Sequence, residues 1–393
     1  MKKLEETAKF SSGGTPSRNN LDYWNGEYSW VTTSLIDYNT ITLTDEYITE
    51  EGLKNSSAKL FPVGTILMAM YGQGKTRGKV AILGIEASTN QACLGIIAKS
   101  EILNEIFLFQ NLGSRYDEIR NLSNGGSQEN LSAELVRKLK LTFPTLPEQT
   151  KIANFLTATD QKIETLKEKK SQIQQYKKGI MQQLFSQELR FKNNNGEDYP
   201  DWEYKSLGEI GEFKNGINKS KEDFGHGFPF INLMDVFGKA TISDLKLDLV
   251  NANEKELKQY ELRKGDVLFI RSSVKKSGVG ETSLVLEDLK NTVYSGFLIR
   301  FRDEKIKLDM NFKKYCFAFK KFRESLISLS TTSANTNINQ ESLNILELPI
   351  PSLPEQIKIA NFLTAIDEKI EKVNQQITNT QTFKKGLLQQ MFC

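Results

Sequence analysis

The residues Ala69 to Thr76, "AMYGQGKT", fit a relaxed phosphate-cradle pattern: a small residue, four spacers, then Gly-Lys-Thr. Holding a nucleotide that way requires a strand before the glycines and a helix directly after them, so that helical N–H groups point at the phosphates. Thr65 to Met70 supplies the strand, but Gly78 follows two residues after Thr76 and "KVAIL" resumes a β-rich run. The spacing predicts strand, basic turn, strand. No apolar run ends in the acidic pair that would hold a magnesium ion. Lys75, Arg77 and Lys79 therefore need another use than nucleotide binding.

Other reactive groups are sparse. Cys93, Cys316 and Cys393 stand too far apart for a metal cluster or a disulfide framework, which predicts free thiols. The single histidine, His226, lies in "DFGHGF", a glycine-rich turn by composition. A zinc site or a Ser-His-Asp arrangement would have to use it, so neither catalytic nor metal-ligating residues are assigned.

These features sit in a chain of 393 residues that is 38% hydrophobic and 26% charged, enough for two or three globular domains. The start "MKKLEETAKF" lacks an apolar signal segment, and no apolar run approaches the ~18 residues that cross a bilayer. A cytoplasmic protein without a membrane partner is expected. Net charge is only +3, yet every charged residue between Leu67 and Ile85 is basic. A near-neutral domain with a basic loop suits DNA binding by a focused patch, or a merely solvated hairpin.

The chain is written twice. Residues 146–185, "LPEQTKIANFLTATDQKIETLKEKKSQIQQYKKGIMQQLF", and 353–392, "LPEQIKIANFLTAIDEKIEKVNQQITNTQTFKKGLLQQMF", are identical at 23 of 40 positions with a constant offset of 207. Thr145 to Glu148 and Ser352 to Glu355 each read as a capping box with proline in the first turn, so both copies begin a helix there. Apolar residues then recur by four and three: Ile152, Leu156, Thr159, Ile163 and Leu166, then Ile173, Ile180 and Leu184. The second copy gives Ile359, Leu363, Ile366, Ile370, Val373 and Ile377, then Leu387 and Met391. This is a heptad seam interrupted by Lys170, Lys177, Thr380 and Lys384, with Tyr176 and Phe383 placed to cover the gap. Two matched helices, each about 60 Å long, most simply pair with each other.

Similarity continues upstream. "LSNGGSQENLSAELVRKLKLTFPT" (122–145) matches "LSTTSANTNINQESLNILELPIPS" (329–352) at the same offset. Farther back, landmarks persist at shifted offsets: Phe10 with Phe213, "EYSWV" with "GFPFI", and "PVGTILMAMYGQGKTRGKVAIL" with "RKGDVLFIRSSVKKSGVGETSLV". The second copy keeps a basic, small-residue turn after a strand but loses the Gly-Lys-Thr.

With "GGTPSR" near Trp24 and Trp30, the "LPEQ…IANFL" helix starts, the "GDVL…G" strand-turns and "LRFKNNNGEDYPDWEYKSLGEI" before the second variable region, the chain resembles the specificity subunits of type I restriction-modification enzymes along its whole length. One departure is that the first half starts at "KKLEE" without a counterpart of "LRF…YPDW"; either the first domain manages without that lead-in or the start is short. The resemblance implies an α+β fold: two α/β target-recognition domains with small, mainly antiparallel sheets (1–144 and 192–351), and two long helices (145–191 and 352–393) forming an antiparallel coiled coil. It further implies that each domain reads half of a bipartite, asymmetric site in double-stranded DNA. The helices would space the halves and dock two modification subunits, which bind S-adenosylmethionine and methylate adenine, and restriction/translocase subunits using ATP and magnesium. No cofactor is expected in this chain: its nine prolines are all isolated, so the Pro-Pro of an adenine methyltransferase motif is absent. A DNA-binding regulator acting alone is the other reading, but it leaves two long helices unexplained.

Sequence readout needs forked donors and amides at base edges, and cations on phosphates. In the first domain the candidates are Thr15, Ser17 and Arg18; Tyr71, Gln73, Lys75, Thr76, Arg77 and Lys79; and Ser123, Asn124, Ser127 and Gln128. In the second they are Asn215, Asn218, Lys219 and Lys221; Arg271, Ser272, Ser273, Lys275 and Lys276; and Thr331, Thr332, Asn335 and Asn337. Trp24, Trp30, Phe228 and Phe230 are expected to pack small cores instead of stacking on bases.

Overall fold

A computed structural model describes residues 1–72, 75–122, 131–243 and 246–392. The chain folds as two compact units, Met1–Glu168 with Asn374–Cys393, and Lys169–Val373.

The first unit is built on a five-stranded sheet in the order Ala8–Ser12, Cys93–Ala98, Ile66–Ala69, Val80–Leu83, Thr40–Ile41. Its first three junctions are antiparallel and the last is parallel. The central strands read as continuous apolar runs because both faces are covered, and successive side chains point to opposite sides. Ile66, Met68, Val80 and Ile82 pack with Phe107, Leu108 and Leu112 of the helix Glu105–Ser114. Leu67, Ala69, Ala81 and Leu83 face the other way, onto Val31, Ile36, Ile41 and Phe61. A second, three-stranded sheet orders Glu46–Ile48, Trp24–Val31 and Ser88–Thr89.

The second unit repeats this plan. Its five strands run Glu212–Asn215, Leu298–Arg302, Val267–Ile270, Thr282–Val285, Thr241–Ile242, and its three-stranded sheet runs Asp248–Val250, Phe224–Ile231, Val293–Tyr294. The sequence landmarks fall at matching places: Phe10 lies opposite Ile96 on the first edge strand, and Phe213 opposite Phe301 on the second. His226 is exposed where the strand Phe224–Ile231 shifts register, between Gly225 (φ +92°) and Gly227 (φ +97°). Cys93 and Cys316 are buried free thiols, and burial pushes Cys93 up to about 12. Cys393 lies outside the described residues.

Both long helices form, Leu146–Phe185 with 40 residues and Leu353–Met391 with 39. They pair antiparallel: Asp160 meets Lys384, and Lys177 meets Asp367. Leu156, Ile163, Leu184, Ile359, Leu363, Ile366, Val373 and Ile377 of the expected seam are buried. Two details differ from the sequence reading. Tyr176 and Phe383 do not cover the lysine interruptions; they are 53% and 55% exposed, because Lys177 and Lys384 are satisfied by carboxylates of the facing helix. The second capping box does not form either: the buried Ser352 hydroxyl has no partner, and the Glu355 carboxylate is taken by Arg190 and Trp202. The glutamine of each "LPEQ" anchors the helix start instead. Gln149 Oε1 accepts from Asn104 N at 2.9 Å and its Nε2 donates to Pro144 O at 2.9 Å. Gln356 makes the same two bonds to Asp309 N and Pro351 O, at 2.8 and 2.9 Å.

Candidate nucleic-acid interface

The basic turn of the first unit leaves the sheet at Ala69 and returns as the antiparallel strand Val80–Leu83. Gly78 makes this possible: its φ is +85°, which favours glycine, and its N–H donates to Ala69 O at 2.8 Å. The Gly78 amide is thus directed back into the sheet, and among the described residues the turn is followed by the strand Val80–Leu83 and not by a helix N-terminus that would cradle a phosphate. Tyr71 and Lys75 are exposed, Thr76 is half-buried and Arg77 is buried, its Nε without a hydrogen-bond partner. Lys79 pairs with Asp37 at 2.6 Å and lies 5.8 Å from the Tyr38 ring centroid. From below, the Tyr116 hydroxyl donates to Lys75 O at 2.7 Å, and Arg120 donates to that hydroxyl at 2.8 Å. Lys75 is the candidate cation of this turn left exposed. Gln73 lies outside the described residues.

The turn with Thr15, Ser17 and Arg18 is pinned to the tryptophans. Trp24 Nε1 donates to Ser17 O and Trp30 Nε1 to Gly14 O, both at 3.1 Å. The two rings meet edge to face at 5.0 Å. Arg18 lies 3.7 Å over Trp24 and forms a two-pronged ion pair with Glu46. The Thr15 hydroxyl donates to Gln91 at 2.5 Å, while Ser17 is exposed. Trp24, Trp30 and Phe230 are buried and Phe228 packs partly buried against Phe230, so the aromatics build cores as expected. Ser123, Asn124, Ser127 and Gln128 lie outside the described residues.

In the second unit the structure brings together residues that are distant in sequence. Ser272–Ser273, Thr336–Asn337 and Thr331–Thr332 form one antiparallel sheet, with Ser272 and Thr331 both opposite Asn337, and Ser273 and Thr332 both opposite Thr336. Thr331, Thr332 and Asn335 are exposed, and Asn337 Nδ2 donates to Asn335 O at 3.0 Å. Ser273 is buried, whereas Lys275 and Lys276 beside it are exposed. Arg271 Nη1 donates to Gly296 O at 3.2 Å, and Asn218 packs against Gly296 so closely that a Cβ there would lie 2.0 Å from the Asn218 Oδ1. Lys219 is held by Glu256 at 2.9 Å, Asn215 sits in the strand Glu212–Asn215, and Lys221 is exposed.

Sequence reading missed the residues that hold the turns. Arg323 donates to Ser277 O at 2.9 Å and Val279 O at 2.6 Å, under the second basic turn. Gly280 (φ +65°) packs on Leu326 as Gly78 packs on Ile119. Arg323 and Leu326 stand 207 positions after Tyr116 and Ile119, so the offset of the repeated helices would have found them. No helix among the described residues is long and apolar enough to cross a membrane. None of their histidine, cysteine and carboxylate groups clusters in a way that could hold a metal ion.

The family model described as "Type I restriction modification DNA specificity domain" matches residues 1–175 and again 199–380. Among curated proteins, the chain is 26% identical over 279 residues to the type I restriction enzyme MjaIX specificity subunit of Methanocaldococcus jannaschii. That match takes in 67% of this chain and 63% of the relative, just under two thirds of its length. The MjaVIII specificity subunit of the same organism is 23% identical over 360 residues, covering 88% of this chain and 83% of the relative. Among solved structures, one from a study of assembly and conformational transition of the type I R-M system has a TM-score of 0.63 at 18% identity, over 100% of this chain and 96% of that one. A type I restriction-modification S subunit from M. genitalium has a TM-score of 0.56 at 16% identity, over 100% and 95%. The same fold, the duplicated helices and a family match that repeats once per half lead to one conclusion: this chain belongs to the type I restriction-modification DNA specificity family.

Proposed function

We propose that the chain is the DNA-reading subunit of a type I restriction-modification complex, in which each of its two target-recognition regions reads one half of a bipartite, asymmetric site. The observation that carries this reading is the repeated turn: in both units an exposed lysine stands on a strand-to-strand turn closed by a left-handed glycine and braced from below by one helix. An exposed cation on a rigid turn suits a phosphate or a guanine edge. The polar sheet of the second unit adds hydroxyls and an amide, since Ser272 and Thr331 both lie opposite Asn337.

In this reading the long helices hold the two half-sites at fixed spacing and dock two modification subunits, and restriction/translocase subunits where present. Those partners carry S-adenosylmethionine, ATP and magnesium, and the chain itself performs no catalysis. Sequencing the DNA methylated by the assembled enzyme tests it directly. A split site with two unrelated halves is the expected result; a single continuous site would sink the assignment of one half per unit. Methylation or cleavage by the pure chain alone would refute the division of labour.

A further inference from the structure

Five charged side chains are buried among the described residues: Arg77, Asp266, Asp303, Lys313 and Glu355. Four of them have a partner of opposite charge. Asp303 takes Lys313 at 2.8 Å, Asp266 takes Arg302 at 2.7 Å through both carboxylate oxygens, and Glu355 takes Arg190 at 3.0 Å. Arg77, 7% exposed, forms neither an ion pair nor a hydrogen bond among the described residues. Its Nε is enclosed without a partner, whereas Nη1 and Nη2 are not enclosed, so the forked end of the guanidinium is what an incoming acceptor can reach. A buried charge left unpaired is destabilising.

The fold does not ask for an arginine there. Gly78 N–H donates to Ala69 O at 2.8 Å and Ala69 N–H to Lys79 O at 3.0 Å; in the second unit Gly280 N–H donates to Ile270 O at 2.7 Å and Ile270 N–H to Glu281 O at 2.8 Å. These bonds place Val279 where Arg77 stands, one residue before the left-handed glycine. Val279 is fully buried in an apolar core with Phe322 and Leu326. The same backbone turn thus carries an apolar side chain in one copy, and in the other a cation that meets no acceptor among the described residues. Lys75, two residues earlier and exposed, adds positive charge to the same turn.

We infer that Arg77 is the seat of a phosphate group, held by its Nη donors, and that this phosphate belongs to the DNA backbone at the first half-site. The inference rests on the DNA-reading function proposed above. A guanidinium fork matches phosphate oxygens two at a time, and contacts of this kind position a protein on the duplex without reading its sequence. Arg77 is then the anchor that sets the register of the first turn, and the second turn, with Val279, has no counterpart of it.

The test measures binding of the full chain to fluorescent duplexes of mixed sequence across a series of salt concentrations, for the unaltered chain, R77M and R77K. Each phosphate neutralised contributes about 0.9 to the slope of log affinity against log salt. R77M should lose about that much slope and roughly tenfold in affinity at low salt, equally on unrelated duplexes, while R77K keeps the slope. Because Met fills the space and no protein partner is lost, R77M should melt no lower than the unaltered chain, which separates lost binding from lost folding. Inorganic phosphate at equal ionic strength tests the other source of the anion. If it raises the melting temperature of the unaltered chain but not of R77M, while the DNA slope is the same in both, the site holds a free anion and the DNA assignment falls. An R77M chain that binds every duplex as the unaltered one does, or that melts well below it, overturns the inference alone; an unaltered chain that binds no duplex overturns the reading beneath it as well.

Discussion

Lys177 donates to Asp367 across 2.5 Å, and its duplicate, Lys384, donates to Asp160 across 2.6 Å. Each helix thus gives one lysine and one aspartate, at positions related by the offset of 207. A lysine in an apolar seam costs desolvation wherever it meets no acceptor, so only one alignment of the helices satisfies both. The ion pairs contribute register more than raw stability.

Asp367 also takes Lys314 at 3.0 Å and the Tyr315 hydroxyl at 2.8 Å. Replacing it by Ala leaves two lysines facing each other half-buried, and should cost about 1.5–3 kcal/mol, the scale of a hydrogen bond to a charged group. The double variant K177M/D367L should lose less than the two single changes together, because the seam becomes apolar. Urea melts of the unaltered chain, K177M, D367L and K177M/D367L measure this; strict additivity would show that the pair is not coupled.

The same carboxylate gives a pH dependence. Burial alone would raise Asp367, but hydrogen bonds from Lys177, Tyr315 and Lys314 outweigh it and hold the group below its ordinary value. An unfolded aspartate ionises near ~3.9, so the stabilisation is present above that pH and is lost as the pH falls through the depressed folded value. Melting temperatures followed downward from neutral pH should drop less steeply for D367N than for the unaltered chain on the acid limb. An identical slope would place the acid-labile group elsewhere.

Lys75 and Arg77 stand two residues apart and should respond differently. K75A removes an exposed cation and is expected to weaken DNA binding by about 1–3 kcal/mol if it reads a base edge, and uniformly across sequences if it holds a phosphate. Its melting temperature should not move. R77A removes a buried side chain, so it should lower thermal stability before it alters sequence preference. Fluorescence anisotropy at fixed salt, alongside thermal melts, separates the two; a K75A chain with full DNA affinity contradicts the proposed interface.

Spacing should be separable from base identity. Adding four residues to each long helix, after Glu168 and after Val373 where the units divide, lengthens each by about 6 Å. At ~3.4 Å per base pair the neutral spacer of the methylated site should grow by about one or two base pairs while both half-sequences stay. Methylome sequencing reads both quantities; altered halves at constant spacing would overturn the ruler.

The sequence made the repeated architecture legible because apolar period and identical helix starts are local signals. Both sheets follow from runs such as Ile66–Ala69 and Val267–Ile270, and the equivalence of Phe10 with Phe213 holds to the facing residue. What the sequence hid is long-range satisfaction. Glu355 looks like a capping residue until Arg190 and Trp202 arrive from outside its own helix. Arg18 and Lys79 look like free cations until Glu46 and Asp37 are folded beside them, and nothing local announces that Arg77 turns inward. The shared sheet of Ser272, Thr331 and Asn337 is likewise a product of tertiary pairing across more than fifty residues.

The units also differ in the order in which a ribosome can finish them. Lys169–Val373 is continuous, and both stretches of helix that pair within it have been made once Val373 has emerged. The first unit is written in two pieces, and Leu156 and Ile163 wait for Asn374 onward before their seam is covered. Since domains fold as they are synthesised, the second-encoded unit can close first, and the first is completed only after Asn374 onward has been made. A nascent chain stalled before Asn374 would carry a finished second unit and a first unit with its helix still seeking a partner.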